Sequence, residues 1–135
     1  LSLATRERIW LFDADKYMPA AEIVTVKKIV NFYQSVDCFF LPRKNILQDV
    51  TEEIAQKMNW NIQNGLLNFP DYQERIFKND INIRYEGTLH EHIKGFTTPA
   101  WLPIQFDIAI MHIKSVERQL AQHYFYEDLK KHENI

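Results

Sequence analysis

Asp13 and Asp15 are the residues whose type and spacing first suggest chemistry. An apolar run, Ile9-Trp10-Leu11-Phe12, drives into these two carboxylates set one residue apart. Side chains alternate along a strand, so both acids leave the same face if the extended conformation continues. At a strand end, where the backbone bends, both can reach one hard cation such as Mg or Mn. Such ions take oxygen ligands and commonly share them with substrate phosphates. The same tripeptide also suits a plain turn closing a buried strand, because Asp is a common turn residue. A second cluster is His90-Glu91-His92. On a strand its two histidines share one face and Glu91 takes the other. That arrangement raises the question of zinc, yet the helical His-Glu-x-x-His spacing of zinc proteases is absent.

Several elements must position these groups. Ile9 to Phe12 reads as a short, fully buried strand. Pro19 suits the first turn of a helix, and Ile23, Val26, Val30 and Tyr33 follow at helical spacing, so a helix is expected over Ala20 to Gln34. Cys38 to Leu41 returns to strand character and is stopped by Pro42. A second helix is expected over Asp49 to Asn59, with Thr51-Glu52-Glu53 placing acids near its positive end. Asn64-Gly65 and Pro70-Asp71 mark a turn-rich connection. Glu74 to Lys78 and Ile81 to Glu86 read as strands joined through Asn79-Asp80 as a hairpin, the second broken by Gly87. Leu89 to Ile93 is a weak strand candidate, and Gly95 to Pro103 reads as irregular. Phe106 to Ile113 is a strong strand. Ser115 can cap a final helix with Val116, Leu120, Tyr124 and Leu129 on its buried stripe.

This order is mixed α and β, with too few βα alternations for a complete doubly wound sheet. At 135 residues the chain is one domain or part of one, long enough for a real core. An apolar fraction of 46% and an aromatic fraction of 13% exclude a disordered composition. A net charge of -2 gives no reason to expect general nucleic-acid binding. The lone Cys38 excludes an internal disulfide and a Cys-based zinc site, fits a reducing compartment, and reads as a small buried hydrophobe. No signal peptide and no bilayer-length apolar run is present, while peripheral membrane contact stays open. The first plausible strand begins near Arg8, so Leu1 to Glu7 reads as the tail of an element whose start is absent, and the chain as a fragment.

Four segments carry a family resemblance. Trp10-Leu11-Phe12-Asp13-Ala14-Asp15 resembles the strand and Asp-x-Asp motif of family 2 glycosyltransferases, which have the GT-A fold. Tyr72 to Asn79 resembles the family's Arg-[Ile/Leu]-Phe-[Arg/Lys] signature, here Arg75-Ile76-Phe77-Lys78. Ile83 to Glu91 is similar to its segment of tyrosine, acidic residue and glycine followed by His-Glu. Ile108 to Ser115 resembles the late strand that delivers a histidine. The four occur in the family's order from Trp10 to Ser115 and correspond to the second half of its catalytic domain. The fold implied is a partial GT-A domain, a mixed sheet flanked by helices, with residues 1–135 forming its metal- and acceptor-side portion.

The resemblance implies a nucleotide-sugar-dependent, metal-assisted transfer of a hexose to a glycan or lipid-linked acceptor. Asp15 is the expected direct ligand of Mn or Mg, Asp13 faces the metal or the sugar-ribose side, and His112 is the late metal-binding histidine. A metal beside the leaving diphosphate stabilises its developing charge. Lys16 stands where relatives often have an acid, and either pairs with phosphate or is solvated. Lys114 either supplies positive charge to the diphosphate or lies exposed. His90 and Glu91 fall near the acceptor side, with Glu91 a candidate general base or a carboxylate paired with Arg84 or Lys94. The family's usual Glu-Asp base motif has no clean copy, which makes Asp71 and Glu74 alternative bases. Arg75 contacts a phosphate or an acidic acceptor, or forms a structural salt bridge. Trp60, Tyr72 and Trp101 could stack on sugars, whereas Phe39, Phe40 and Phe106 read as core. The expected location is cytoplasmic, at the inner membrane face, with self-association plausible through exposed strand edges. The rival reading is a non-catalytic α+β binding or assembly module on the same scaffold.

Overall fold

Alternation along Cys38–Leu41 divides the core. The computed structural model describes residues 7–86 and 92–133. Phe39 and Leu41 on β2 (Cys38–Leu41) join Val26 and Val30 of α1 (Ala20–Phe32) in one cluster with Met18, Ile76 and Ile110. Cys38 and Phe40 point the other way, toward Phe77, Ile83 and Ile93. Burial pushes the Cys38 thiol up to about 12, so it packs as a hydrophobe.

β1 (Arg8–Trp10) and β2 both pair antiparallel with β6 (Gln73–Lys78), while β9 (Pro99–Trp101) runs parallel to β2. This sheet has the order β1-β6-β2-β9. Pro42, fully buried, then passes the chain directly into a second sheet. There β3 (Arg43–Gln48) lies parallel to β10 (Ile110–Ser115) and antiparallel to β5 (Leu66–Leu67), which forms a hairpin with β4 (Ile62–Gln63). Asn64 and Gly65, at φ 53 and 77, supply the left-handed turn of that hairpin. A two-stranded ribbon joins β7 (Arg84–Glu86) to β8 (His92–Lys94). Gly95 ends it at φ +93, where an added Cβ would stand 1.8 Å from the Asn82 carbonyl oxygen, so no other residue fits. A short α2 (Glu52–Lys57) is capped by the Thr51 side chain, and a long α3 (Val116–Glu133) closes the chain.

The chain is thus mixed α and β, as expected, but several boundaries differ. β1 is half-buried rather than fully buried, and Phe12 beyond it is 41% exposed. β2 does end at Leu41 before Pro42, as expected, but a further strand, β3, follows at once, and the Pro42 carbonyl accepts from the Ile110 amide. β6 and β7 do not form a hairpin, since β6 is already flanked by β1 and β2. Pro99 to Trp101, read as irregular, is a strand because Asp37 accepts the Thr97 and Thr98 amides and presents β9 to β2. The late strand starts at Ile110 rather than Phe106: Ile104–Phe106 is a 3-10 turn closed by Asp107 at φ 55, and Phe106 is exposed. Tyr124, placed on the buried stripe of α3, is 60% exposed. Gly87 lies outside the described residues. Among the described residues no helix is long and apolar enough to cross a membrane.

Candidate functional site

The site grows from one cross-strand pair. In the parallel register of β10 and β3, His112 stands beside Asn45, and both are buried. The Asn45 amide nitrogen donates to Asp71 Oδ2 at 2.6 Å and to the Leu67 carbonyl at 3.3 Å. Its oxygen must therefore accept, and the atom in reach is His112 Nδ1 at 3.2 Å. That fixes the tautomer: Nδ1 carries the proton and Nε2 keeps a lone pair. Burial, reinforced by Lys16, Lys114 and Arg43, lowers the His112 pKa to about 4 against the attraction of Asp15, so the ring is neutral at pH 7.

The Asp-x-Asp turn is carried to this histidine by backbone bonds. Tyr17 and Met111 exchange N–H to carbonyl bonds of 3.1 and 2.7 Å, tying the turn to β10. Asp15 Oδ2 consequently lies 3.3 Å from His112 Nε2. That separation is within ion-pair distance but lacks hydrogen-bond alignment, and Nε2 is a buried polar atom without a hydrogen-bond partner. A lone pair faces a carboxylate with no proton between them. Two acceptors so placed repel unless a cation shares them.

Asp13 and Asp15 do not act as a matched pair. Lys16 Nζ sits between them, 2.8 Å from Asp13 Oδ2 and 3.1 Å from Asp15 Oδ1. Its side chain is only 9% exposed, so it is neither solvated nor free for phosphate without letting go of an acid. The Lys16 bond holds the Asp13 carboxyl below its usual range, with Arg75 adding to it from 3.9 Å. Burial works against ionisation of Asp15, and the Lys16 ammonium outweighs it. Arg118 also reaches Asp15 Oδ2 at 3.1 Å. Asp15 faces the cleft beside His112, whereas Asp13 turns toward Arg75.

That cleft has a volume of about 1010 Å³. Its base carries Arg43, Asn45, His112 and Lys114, and α3 folds over it. Lys114 is buried rather than exposed, and its Nζ donates to Gln122 at 3.0 Å. Burial and then the nearby Arg43, Arg118 and Lys16 lower its pKa to about 8. An ammonium so crowded gains from any anion that enters. Asp71 lines the cleft and is held there by Arg43 and Asn45 on Oδ2 and by Gln73 on Oδ1. Glu74 is bonded to His92 at 3.1 Å, and His92 lines the same cleft.

The remaining candidates scatter. Arg75 bonds the Gln73 side chain and the Glu74 carbonyl and stands 3.9 Å from Asp13. Trp101 stacks on Phe40 with centroids 4.5 Å apart and is half exposed. The Tyr72 hydroxyl is used by the Leu102 carbonyl. His90 and Glu91 lie outside the described residues. Sequence reasoning missed Arg43, Asn45, Arg118 and Gln122, which belong to no motif; only the pairing of β3 with β10 reveals Asn45. No family model matches this sequence, and no curated protein does either.

The residues fit a hard divalent cation in part. Asp15 and His112 present an oxygen and a nitrogen at 3.3 Å, close to the roughly 3 Å between neighbouring ligands held about 2.1 Å from one ion. Among the described residues no group of three or more His, Cys, Asp or Glu side chains gathers for a metal. Such a site would complete its coordination with water and with a ligand's own phosphates.

Proposed function

We propose that this chain is the metal- and acceptor-binding part of a nucleotide-sugar-dependent glycosyltransferase of the GT-A kind, transferring a hexose to a glycan or lipid-linked acceptor. The observation that carries this reading is the unprotonated contact between Asp15 and His112 at the rim of a cationic cleft. Arg43, Lys114 and Arg118 line that cleft and suit a diphosphate, while Lys16 stays bound to Asp13 and Asp15. The acid turn follows β1 and His112 lies on β10, and these are two of the features on which the sequence resemblance rests.

Each residue has a task under this reading. Asp15 and His112 hold Mn or Mg, and Asn45 keeps the His112 lone pair aimed outward through the Nδ1 bond. When bound, the ion stabilises negative charge on the departing nucleoside diphosphate. Lys114 and Arg43 draw the diphosphate to the base of the cleft, and α3 excludes water above it. Arg118, whose side chain is 60% exposed, can exchange its Asp15 contact for a phosphate oxygen. Asp13 holds Lys16 and Arg75 in place.

The experiment is a thermal-unfolding titration with Mn, alone and with a panel of nucleoside diphosphate sugars. Metal-dependent stabilisation that one donor strengthens, and that Asp15→Ala and His112→Ala abolish, supports the transferase. No response to any metal or nucleotide leaves the non-catalytic α+β module as the better account.

A further inference from the structure

A transfer of this type needs a group that removes a proton from the attacking hydroxyl. His92 opens β8, is about half exposed, and lines the cleft shared by Asp15 and His112. Its Nδ1 lies 3.1 Å from Glu74 Oε1. The Glu74 side chain is 14% exposed, because a bulge between Phe39 and Phe40 shifts the register and sets it opposite Phe40. Phe40 is itself packed by Phe96 and Trp101. An ionised carboxylate only accepts, so Nδ1 must donate. The lone pair of His92 is thereby left on Nε2.

We propose that His92, oriented by Glu74, is the proton acceptor for a sugar hydroxyl bound in this cleft. The assignment rests on the glycosyltransferase reading and adds to it the group that activates the acceptor. As the hydroxyl oxygen forms its bond to the anomeric carbon, its proton passes to His92 Nε2. The bond from that carbon to the diphosphate oxygen breaks, and its electron pair leaves with the diphosphate. The imidazolium so formed faces Glu74, which stabilises it, and later releases the proton to solvent. His92 is the catalytic residue and Glu74 a positioning residue. Imidazole suits the exchange because its ordinary proton affinity lies near neutral pH. Asp71, by contrast, is tied by Arg43 and Asn45 on one oxygen and by Gln73 on the other.

The test combines nitrogen-15 NMR of the full chain with transfer kinetics. The neutral His92 ring is expected as the Nδ1–H tautomer, giving way to a mixture in Glu74→Gln. His92→Asn is expected to lose about a hundredfold or more in transfer rate. It should keep the full thermal shift with Mn and donor. Glu74→Gln should lower the transfer rate while keeping the thermal shift with Mn and donor, and the change of His92 tautomer is an effect that loosened packing alone does not produce. An Nε2–H tautomer, or a His92→Asn protein transferring at the original rate with an unchanged pH profile, overturns the proposal. Absence of any shift with Mn and donor in the unaltered protein marks instead the failure of the transferase reading itself, and the assignment falls with it.

Discussion

At the scale of single residues, the contact between Asp15 and His112 has a pH signature. His112 is neutral because its pKa falls from 6.5 to about 4 on folding, chiefly through burial. Between those values the unfolded chain binds a proton that the folded chain refuses. Stability of the metal-free protein is therefore intact above pH 6.5 and is lost as pH falls toward 4. The loss attributable to this residue is on the order of 3 kcal/mol once both values are passed. His112→Asn keeps a polar side chain and removes the titration. Denaturant unfolding at a series of pH values is expected to show a steeper acid-side decline for the native protein than for this variant. Parallel curves would show that His112 is solvated or already protonated.

At the scale of elements, sequence periodicity located α1, β2 and the core of β6 because each has an unmistakable apolar face. It failed where pairing, not local preference, decides structure. β9 is three residues long and contains Pro99, so nothing local marks it as a strand. Its existence depends on Asp37, whose two oxygens accept the Thr97 and Thr98 amides at 2.7 and 2.8 Å. Asp37→Ala is expected to cost about 1–2 kcal/mol in urea unfolding and to raise amide exchange across Pro99–Trp101. Unchanged exchange there would mean that β2 alone holds β9. The site divides in the same manner. Asp15 and His112 stand out by residue type at the ends of apolar runs. Asn45 and Arg43 could not be singled out, since their importance comes from a parallel neighbour more than sixty residues away in the chain. Lys16 and Lys114 were read against solvent because lysine is usually exposed, and here carboxylates and an amide hold both inside.

At the scale of the whole molecule, charge is distributed unevenly. The chain carries a net charge of -2, yet one cleft is lined by Lys16, Arg43, Lys114, Arg118 and Lys130 against Asp15, Asp71 and Glu127, an excess of cations. A local positive field on a near-neutral protein favours a small polyanion over a long one. Binding of a nucleoside diphosphate should therefore weaken with salt, by on the order of tenfold between about 0.05 and 0.5 M. A salt-independent affinity would assign the binding energy to base or sugar contacts elsewhere.

If Asp15 and His112 share a metal ion, His112 Nε2 must carry a lone pair before the ion arrives. Titrating substoichiometric Mn into nitrogen-15-labelled protein with a nucleoside diphosphate present, while following every histidine ring, tests it most directly. His112 is expected as the Nδ1–H tautomer before metal, its ring signals are expected to broaden first, and Asp15→Ala is expected to abolish the effect. Broadening centred on another histidine, or a His112 ring protonated at Nε2, would contradict it.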